Sequence, residues 1–333
     1  MIFTEDALTA LIARVLTRQG MSEHNARIVA ASVMAAERDG AHSHGLLRLK
    51  GYISTLRSGW ADGGAIPLVT DAAPSLVRTD AANGFAQVAL AASDALLRQK
   101  VQATGLAAVC IHDSHHFAAL WPDIEPFAAS GFIALTMVNA RSRLVVWGAQ
   151  RKVLGTNPMA FAIPRRDGPP MIWDQASSRW AQGEVLLARR TGNAVPAGIG
   201  LDADGQPTTD PAAILDGGAV LPFGEHKGAS IALMIEVLAA AFTGGRFGFE
   251  DRSSAFPGAQ TSNAGQFLLL ADPARTAGSA FGDRIEALIA QLRGAGSERL
   301  PSDIRYAKRE RARQHGIEIS DRVHAQILQF LKE

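Results

Sequence analysis

What this chain of 333 residues has little of narrows its biology first. A single cysteine, Cys110, excludes an internal disulfide framework, and its place in the apolar run L-A-A-V-C-I marks it as a buried free thiol. The formal net charge is +1, so no overall field draws in nucleic acid or an anionic membrane, and charge-driven binding would need a local cluster. A small-molecule partner is the default. No apolar run approaches the roughly 18 residues that span a bilayer. The N-terminus, M-I-F-T-E-D-A-L, has acids where a signal peptide needs positive charge. A cytoplasmic location, with no membrane and no nucleic-acid partner, is expected. Nucleotide signatures are missing too. There is no G-x-x-x-x-G-K-[ST] loop, and G-I-G-L-D-A, residues 198–203, lies between Pro196 and D-G-Q-P, where a phosphate loop needs a strand before and a helix after.

What is present suits a globular α/β protein. Hydrophobic residues make up 47% of a chain whose length accommodates two subdomains. Leu8, Leu11, Ile12, Val15 and Leu16 recur at helical spacing after a Thr4 cap, and Ile28, Val29, Ser32, Val33 and Ala36 repeat the pattern from Ser22 to Gly40. Further helices are predicted up to Gly59, over 85–103, from about Gly228 to Ala241, and through most of 283–333. L-A-A-V-C-I, F-I-A-L-T-M-V-N, A-F-A-I-P, P-M-I-W-D and F-L-L-L-A-D-P read as strands ending in polar clusters. Between Arg190 and Pro211 the chain is too rich in Gly, Pro and Asp for regular structure and reads as a functional loop.

Four clusters can carry chemistry. A-H-S-H-G-L-L-R-L, from Ala41, puts His42, Ser43, His44 and Arg48 into one polar turn. H-D-S-H-H-F places His112, His115 and His116 at a strand end, open to three readings: zinc ligands, solvated loop histidines, or an acid/base group. Strand geometry sends His115 and His116 to opposite sides, which disfavours a shared metal. P-F-G-E-H-K-G sets His226 and Lys227 at a helix N-terminus, either an anion site or a plain loop–helix junction. W-D-Q-A-S-S-R ends a strand in Asp174, a carboxylate that can orient an imidazole or accept from a ligand, or merely cap a turn.

In chain order, S-H-G-L-L-R-L, S-H-H-F, L-G-T-N-P-M-A-F-A-I-P, D-Q-A-S-S, D-G-Q-P-T-T-D-P and E-H-K-G resemble the successive signatures of the malate/L-lactate dehydrogenase-like oxidoreductases, from about residue 4 to about 320. Within that family, H-D-S-H-H-F-A-A-L-W-P-D-I-E-P-F-A and N-A-R-S-R-L-V-V-W-G look most like the Δ1-piperideine-2-carboxylate/Δ1-pyrroline-2-carboxylate reductases. Glu225 stands where a Gly usually precedes H-K-G. The resemblance implies a non-Rossmann cofactor domain with a largely antiparallel sheet and a second, mainly helical domain built from both chain ends, in a homodimer. Residues 114–285 would bind NADPH; 1–113 with 286–333 would form the substrate, catalytic and dimerisation domain.

The resemblance also assigns roles. Ser43, His44 and Asp174 would form a hydrogen-bonded relay, with Arg48 gripping the substrate carboxylate and His116 also meeting substrate. His116, Phe117, Ala118, Ala119, Leu120, Thr156, Asp174, Gln175, Ala176, Ser177, His226, Lys227, Gly228, Arg299, Ser302 and Arg305 would contact the cofactor, NADPH or NADH, with no metal. By charge alone, not by the resemblance, Arg141 and Arg143 or the basic tail from Arg305 to Arg313 are candidates for contact with its 2′-phosphate, against the plain reading of a solvated helix face. Leu46, Leu47 and Leu49 would anchor the turn by packing, leaving His42 in solvent. The expected reaction is reduction of a cyclic 2-carboxy imine to L-pipecolate or L-proline, with His44 as proton donor. The alternatives are an NAD(P)-dependent dehydrogenase of malate, lactate, ureidoglycolate or sulfolactate with His116 as base, a metal-dependent hydrolase, and a non-catalytic ligand-binding protein.

Overall fold

Capping and periodicity place the amino-terminal helices. After a two-residue strand, β1 (Ile2–Phe3), Thr4 Oγ1 accepts from the Ala7 N–H at 3.2 Å and opens α1 (Glu5–Arg18). Ser22 Oγ accepts from the Asn25 N–H at 3.3 Å and opens α2 (Glu23–Arg38). The computed structural model describes every residue except Trp147, so that position of the N-A-R-S-R-L-V-V-W-G stretch lies outside the described residues.

The chain continues through α3 (Leu49–Arg57), β2 (Leu68–Ala73), β3 (Leu76–Phe85), α4 (Ala86–Thr104), β4 (Leu106–His115), α5 (Trp121–Ala129) and β5 (Ile133–Val138). Next come β6 (Leu144–Val145), β7 (Lys152–Leu154), β8 (Met159–Ile163), β9 (Met171–Gln175), α6 (Gln182–Thr191), β10 (Gly200–Leu201), β11 (Pro207–Thr208), α7 (Pro211–Leu215) and β12 (Ala219–Val220). It closes with α8 (His226–Glu236), β13 (Asn263–Ala271), α9 (Ala280–Gly294), α10 (Asp303–His315), β14 (Ile317–Glu318) and α11 (Asp321–Lys332). No described helix is long and apolar enough to cross a membrane.

Seven strands make the main sheet, in the order β2-β3-β4-β13-β5-β8-β9. Only β3 and β4 run parallel; every other neighbouring pair is antiparallel. The alternation therefore brings the carboxyl ends of β3, β4, β5 and β9 to one edge with the amino ends of β13 and β8. One core lies where α4 and α5 cover this sheet, around Val109, Ile111, Ile124, Phe127 and Leu268. A second joins α1 and α2 to Tyr52, Phe85 and the far C-terminus through Ile317, Ile327 and Phe330. The chain ends meet directly, since β1 pairs with β14.

Several expectations change on contact with this structure. The boundary expected at residue 113 falls inside β4, and strands from both sides of it share one sheet. The supposed irregular segment 190–211 carries β10 and β11, paired antiparallel and turned by Asp202, whose Oδ1 accepts from the N–H groups of Asp204 and Gln206. The helix predicted from about Gly228 to Ala241 starts at His226, and its last turn, Val237–Ala241, is π-helical. Leu46 and Leu49 anchor the S-H-G-L-L-R-L turn, 5% and 1% exposed, but Leu47 is 53% exposed.

One buried acid shapes that turn. Glu37, near the end of α2, accepts from the Leu46 N–H through Oε2 at 2.8 Å and pairs through Oε1 with His42 Nδ1 at 2.6 Å. His42 is thus an ion-pair partner as well as a solvent-facing side chain. Gly45 is required by space: a Cβ there would stand 2.9 Å from both Cα and N of Glu37. Gly45→Ala is expected to cost about 2 kcal/mol or more through overpacking, and Glu37→Ala about 1–3 kcal/mol through the orphaned Leu46 N–H. Denaturant unfolding checks both, and midpoints unchanged from wild type would show that the clamp does not hold the turn.

Candidate active site

Ser43, His44 and Arg48 leave the clamped turn together. Ser43 Oγ lies 3.1 Å from His44 Nδ1. A single 3-10 turn, Leu46–Arg48, feeds α3 and brings the Arg48 guanidinium to 4.4 Å from the centre of the Phe117 ring. Burial, then the charges of Arg48 and His116, push the His44 imidazole down to about 4. At neutral pH it is therefore an uncharged ring beside a guanidinium.

Two buried polar atoms here have no partner among the described residues, Arg48 Nε and the Tyr52 hydroxyl. Tyr52 is completely buried, one helical turn after Arg48, its ring edged against Phe117 and Phe85, and burial holds its hydroxyl well above its ordinary value. Tyr52 was not among the expected site residues. The available signal was its spacing, since positions four apart share a helix face.

His116 is oriented by a second residue that the sequence reading missed. Its Nε2 lies 2.8 Å from Asp123 Oδ2, which also accepts from Gln266 Nε2 at 2.9 Å. His116 Nε2 also lies 3.4 Å from Gln87 Nε2, so the ring is held from that one nitrogen. His115 points away from this pair, completely buried, with Nδ1 2.7 Å from Thr261 Oγ1 and Nε2 2.9 Å from Asn83 Oδ1; burial pushes it down to about 4. His112 sits further back in β4, opposite Asp80 of β3. The three histidines thus face separate surroundings.

Asp174 has a different task from the one expected. Its Oδ2 accepts from the N–H groups of Leu120 and Trp121, at 2.8 and 3.2 Å, where α5 begins. Burial raises its pKa, while those two N–H groups, Arg305 and His116 draw it back down. A helix start offers unsatisfied N–H groups and a positive dipole end, and they claim the carboxylate. Of the expected Ser43–His44–Asp174 relay, only the first link is made. The element beside Ser43 is instead the start of α6, where a Cβ on Gly183 would lie 3.7 Å from that of Ser43.

The residues assigned to cofactor are stitched into one surface. Leu120 is tied to Asp174; the Ser177 N–H donates to Thr156 O at 2.8 Å, and the Phe223 N–H to Ser177 O at 3.1 Å. Gly228 seats α8 on this seam, because a Cβ would strike Phe223 O at 2.3 Å and Ser177 O at 3.0 Å. Ser302 Oγ accepts from the Ile172 N–H and donates to Ile172 O, at 3.0 and 2.6 Å, and Arg305 stacks 4.3 Å from the Trp121 ring centre. Arg299 is exposed and makes no such link.

Two basic features read differently in three dimensions. The Lys227 and Gly228 N–H groups already donate to Gly224 O and Phe223 O, so attraction for an anion at the start of α8 rests on the exposed His226 and Lys227 side chains and the helix dipole. In the basic tail, Arg309 is spent on Asp39 and Glu125, and Arg313 on Glu310. Arg305 alone of these three reaches the seam.

Glu225, just before H-K-G, has φ +58° and ψ −118°, backbone space that glycine enters freely and a side chain does not. Strain of this kind is of order 1–3 kcal/mol. Glu225→Gly is therefore expected to raise stability by about 1 kcal/mol after the unfolded-state entropy of glycine is set against it; a lowered unfolding midpoint would refute the strain.

Residues 3–328 match the malate/L-lactate dehydrogenase family. The chain is 51% identical, over 94% of its length and 91% of the relative's, to Δ1-pyrroline-2-carboxylate/Δ1-piperideine-2-carboxylate reductase from Pseudomonas syringae pv. tomato. It superposes on the crystal structure of the Δ1-piperideine-2-carboxylate reductase from the same organism with a TM-score of 0.97 and 48% identity, covering 99% of both chains. It is also 38% identical to (2R)-3-sulfolactate dehydrogenase (NADP(+)) from Chromohalobacter salexigens, over 97% of this chain and 96% of the other. On these grounds the chain belongs to the malate/L-lactate dehydrogenase family of oxidoreductases.

Proposed function

We propose that the protein reduces cyclic 2-carboxy imines, Δ1-piperideine-2-carboxylate and Δ1-pyrroline-2-carboxylate, to L-pipecolate and L-proline, using NADPH. The observation that carries this reading is the unpartnered pair of donors, Arg48 Nε and the Tyr52 hydroxyl, buried beside an uncharged imidazole. A substrate with a carboxylate next to a basic nitrogen answers both features. The guanidinium fork and the phenol grip the carboxylate, which brings the ring nitrogen to His44.

The donor set fits a dinucleotide held outside a doubly wound fold. Lys227 and His226 would meet its diphosphate, with Arg305 on the same seam, while the Phe117–Leu120 segment would flank the flat ring. Bound NADPH supplies the hydride to the imine carbon. The residues of this chain supply alignment and the proton. Ser43 holds the His44 ring through Nδ1, so Nε2 is the nitrogen free to give a proton to the imine. Protonating that nitrogen makes the neighbouring carbon electrophilic.

His44 cannot hold that proton in the free enzyme near neutral pH, since its pKa lies at about 4. Carboxylate binding neutralises Arg48 and adds a negative neighbour, so both changes raise the pKa toward its ordinary value. The proton thus arrives with the substrate. This reading also places the enzyme in the cytoplasm as a homodimer, and assigns the exposed apolar side of α8 and its π turn, Leu233, Met234, Val237 and Phe242, to the second copy.

A second reading has its own support. The His116–Asp123 pair is an imidazole held by a carboxylate, the form of a base that could take a hydroxyl proton in 2-hydroxyacid oxidation, and a sulfolactate dehydrogenase is among the relatives. Rates with both cyclic imines and with pyruvate, beside oxidation of lactate, malate and sulfolactate, separate the two. Oxidation without imine reduction would leave the second reading standing alone.

Two outcomes are expected. His44→Ala should lower kcat on both imines by about 10²–10⁴-fold, the usual share of a general acid, and near-normal turnover would remove His44 from the mechanism. Binding of an unreactive cyclic 2-carboxylate between pH 5 and 6 should take up protons, read by calorimetry in buffers of different ionisation heat. That uptake should vanish in His44→Ala, and uptake that persists in the variant would place the proton elsewhere.

A further inference from the structure

Two arginines at the centre of the site edge make no ion pair among the described residues. Arg141 and Arg143 follow the carboxyl end of β5, between the strand ends that carry His116 and Asp174. The segment is clamped through its backbone. The Arg141 N–H donates to Ser262 Oγ at 3.3 Å, the Arg143 N–H to Leu154 O at 2.8 Å, and Arg143 O accepts from the Val220 N–H at 2.8 Å. Lys152, opposite Val145 in β7, completes a cluster of three cations, its Nζ donating to Gly217 O and Gly218 O at 3.1 and 2.9 Å. Burial and then the charge of Arg141 push Arg143 down to about 10, and Lys152 is lowered by burial and by both arginines.

The Asp251 carboxylate attracts both guanidinium groups without forming an ion pair to either. Asp251 Oδ1 accepts from the Ser253 N–H at 3.3 Å and Oδ2 from Ser253 Oγ at 2.6 Å. Among the described residues, neither guanidinium of Arg141 and Arg143 has a hydrogen-bond or ion-pair partner, and both residues are half-buried. Both side chains lie in residues that keep part of their surface exposed.

We propose that Arg141 and Arg143 form a binding site for a phosphoryl dianion, with Lys152 adding to the field. Like charges held together in a partly desolvated place are costly unless an anion joins them, and a single carboxylate would leave one uncompensated. A phosphoryl group carries two charges and matches the guanidinium fork. Its source is either the 2′-phosphate of the dinucleotide, in which case the inference rests on the NADPH reading above, or free phosphate.

The test uses the full chain and Arg143→Gln. Inorganic phosphate, against chloride at equal ionic strength, should raise the melting temperature of the wild type and not of the variant. If the group belongs to the cofactor, the variant should bind NADPH about ten- to a hundredfold more weakly and NADH within about twofold of wild type, and phosphate should compete with NADPH. If the group is free phosphate, the stabilisation is lost in the variant while the ratio of NADPH to NADH affinity stays unchanged. Equal phosphate stabilisation in wild type and variant, or none in either, together with an unchanged ratio overturns the site. Should R143Q fail to fold, R141Q carries the same readouts. Failure to turn over cyclic imines with phosphate binding intact would sink the reductase reading and leave this site standing.

Discussion

The site depends on the Glu37 carboxylate. One oxygen holds the Leu46 amide and the other holds His42, so a residue at the end of α2 dictates the path of the turn that carries the proposed site residues Ser43, His44 and Arg48. The grip is close because Gly45 has no Cβ, and Leu46 and Leu49 drive the far side of the turn into the helical core. A flexible polar loop would scatter His44 and Arg48 over many positions. Held by one buried acid and two buried leucines, they share one small volume, which is what orientation by an enzyme requires.

The sheet performs the matching task for the other half of the site. Alternation along β4 sends His115 into a closed polar pocket with Thr261 and Asn83, and the chain leaving the strand turns His116 toward Asp123. Antiparallel pairing then gathers the remaining motifs at the same edge, so that D-Q-A-S-S and E-H-K-G, about fifty residues apart in sequence, touch through Ser177, Phe223 and Gly228. Their order along the chain is the visible trace of a seam whose cause lies in strand direction.

Much of this was legible in the sequence, for reasons that are local. Thr4 and Ser22 announce helix starts through their own side chains, and L-A-A-V-C-I or P-M-I-W-D can hardly be anything except buried strands. What was misread depends on partners far away. Asp174 is a good relay candidate until α5 presents two free amides to it. Leu47 looks like Leu46 and Leu49, but a 3-10 turn rotates it into solvent. Asp123 and Tyr52 gave no motif of their own, because their value lies in a histidine held across a turn and in a buried hydroxyl left without a partner. The strands β10 and β11, two residues each, are too short to show a period of two.

How the molecule treats its buried charges separates scaffold from site. Where α10 docks on the rest of the fold, Arg309 bonds both Asp39 and Glu125, and Asp39 also receives Arg38, so every charge has an opposite neighbour within hydrogen-bonding distance. The same chain leaves Arg48, Arg141 and Arg143 without such neighbours, and the latter two side by side. An arginine kept partly desolvated and uncompensated lowers the stability of the folded chain, and that cost is recovered only when something negative arrives. The uncompensated arginines are where the proposed ligands would complete the charge, apart from the satisfied network around Arg309.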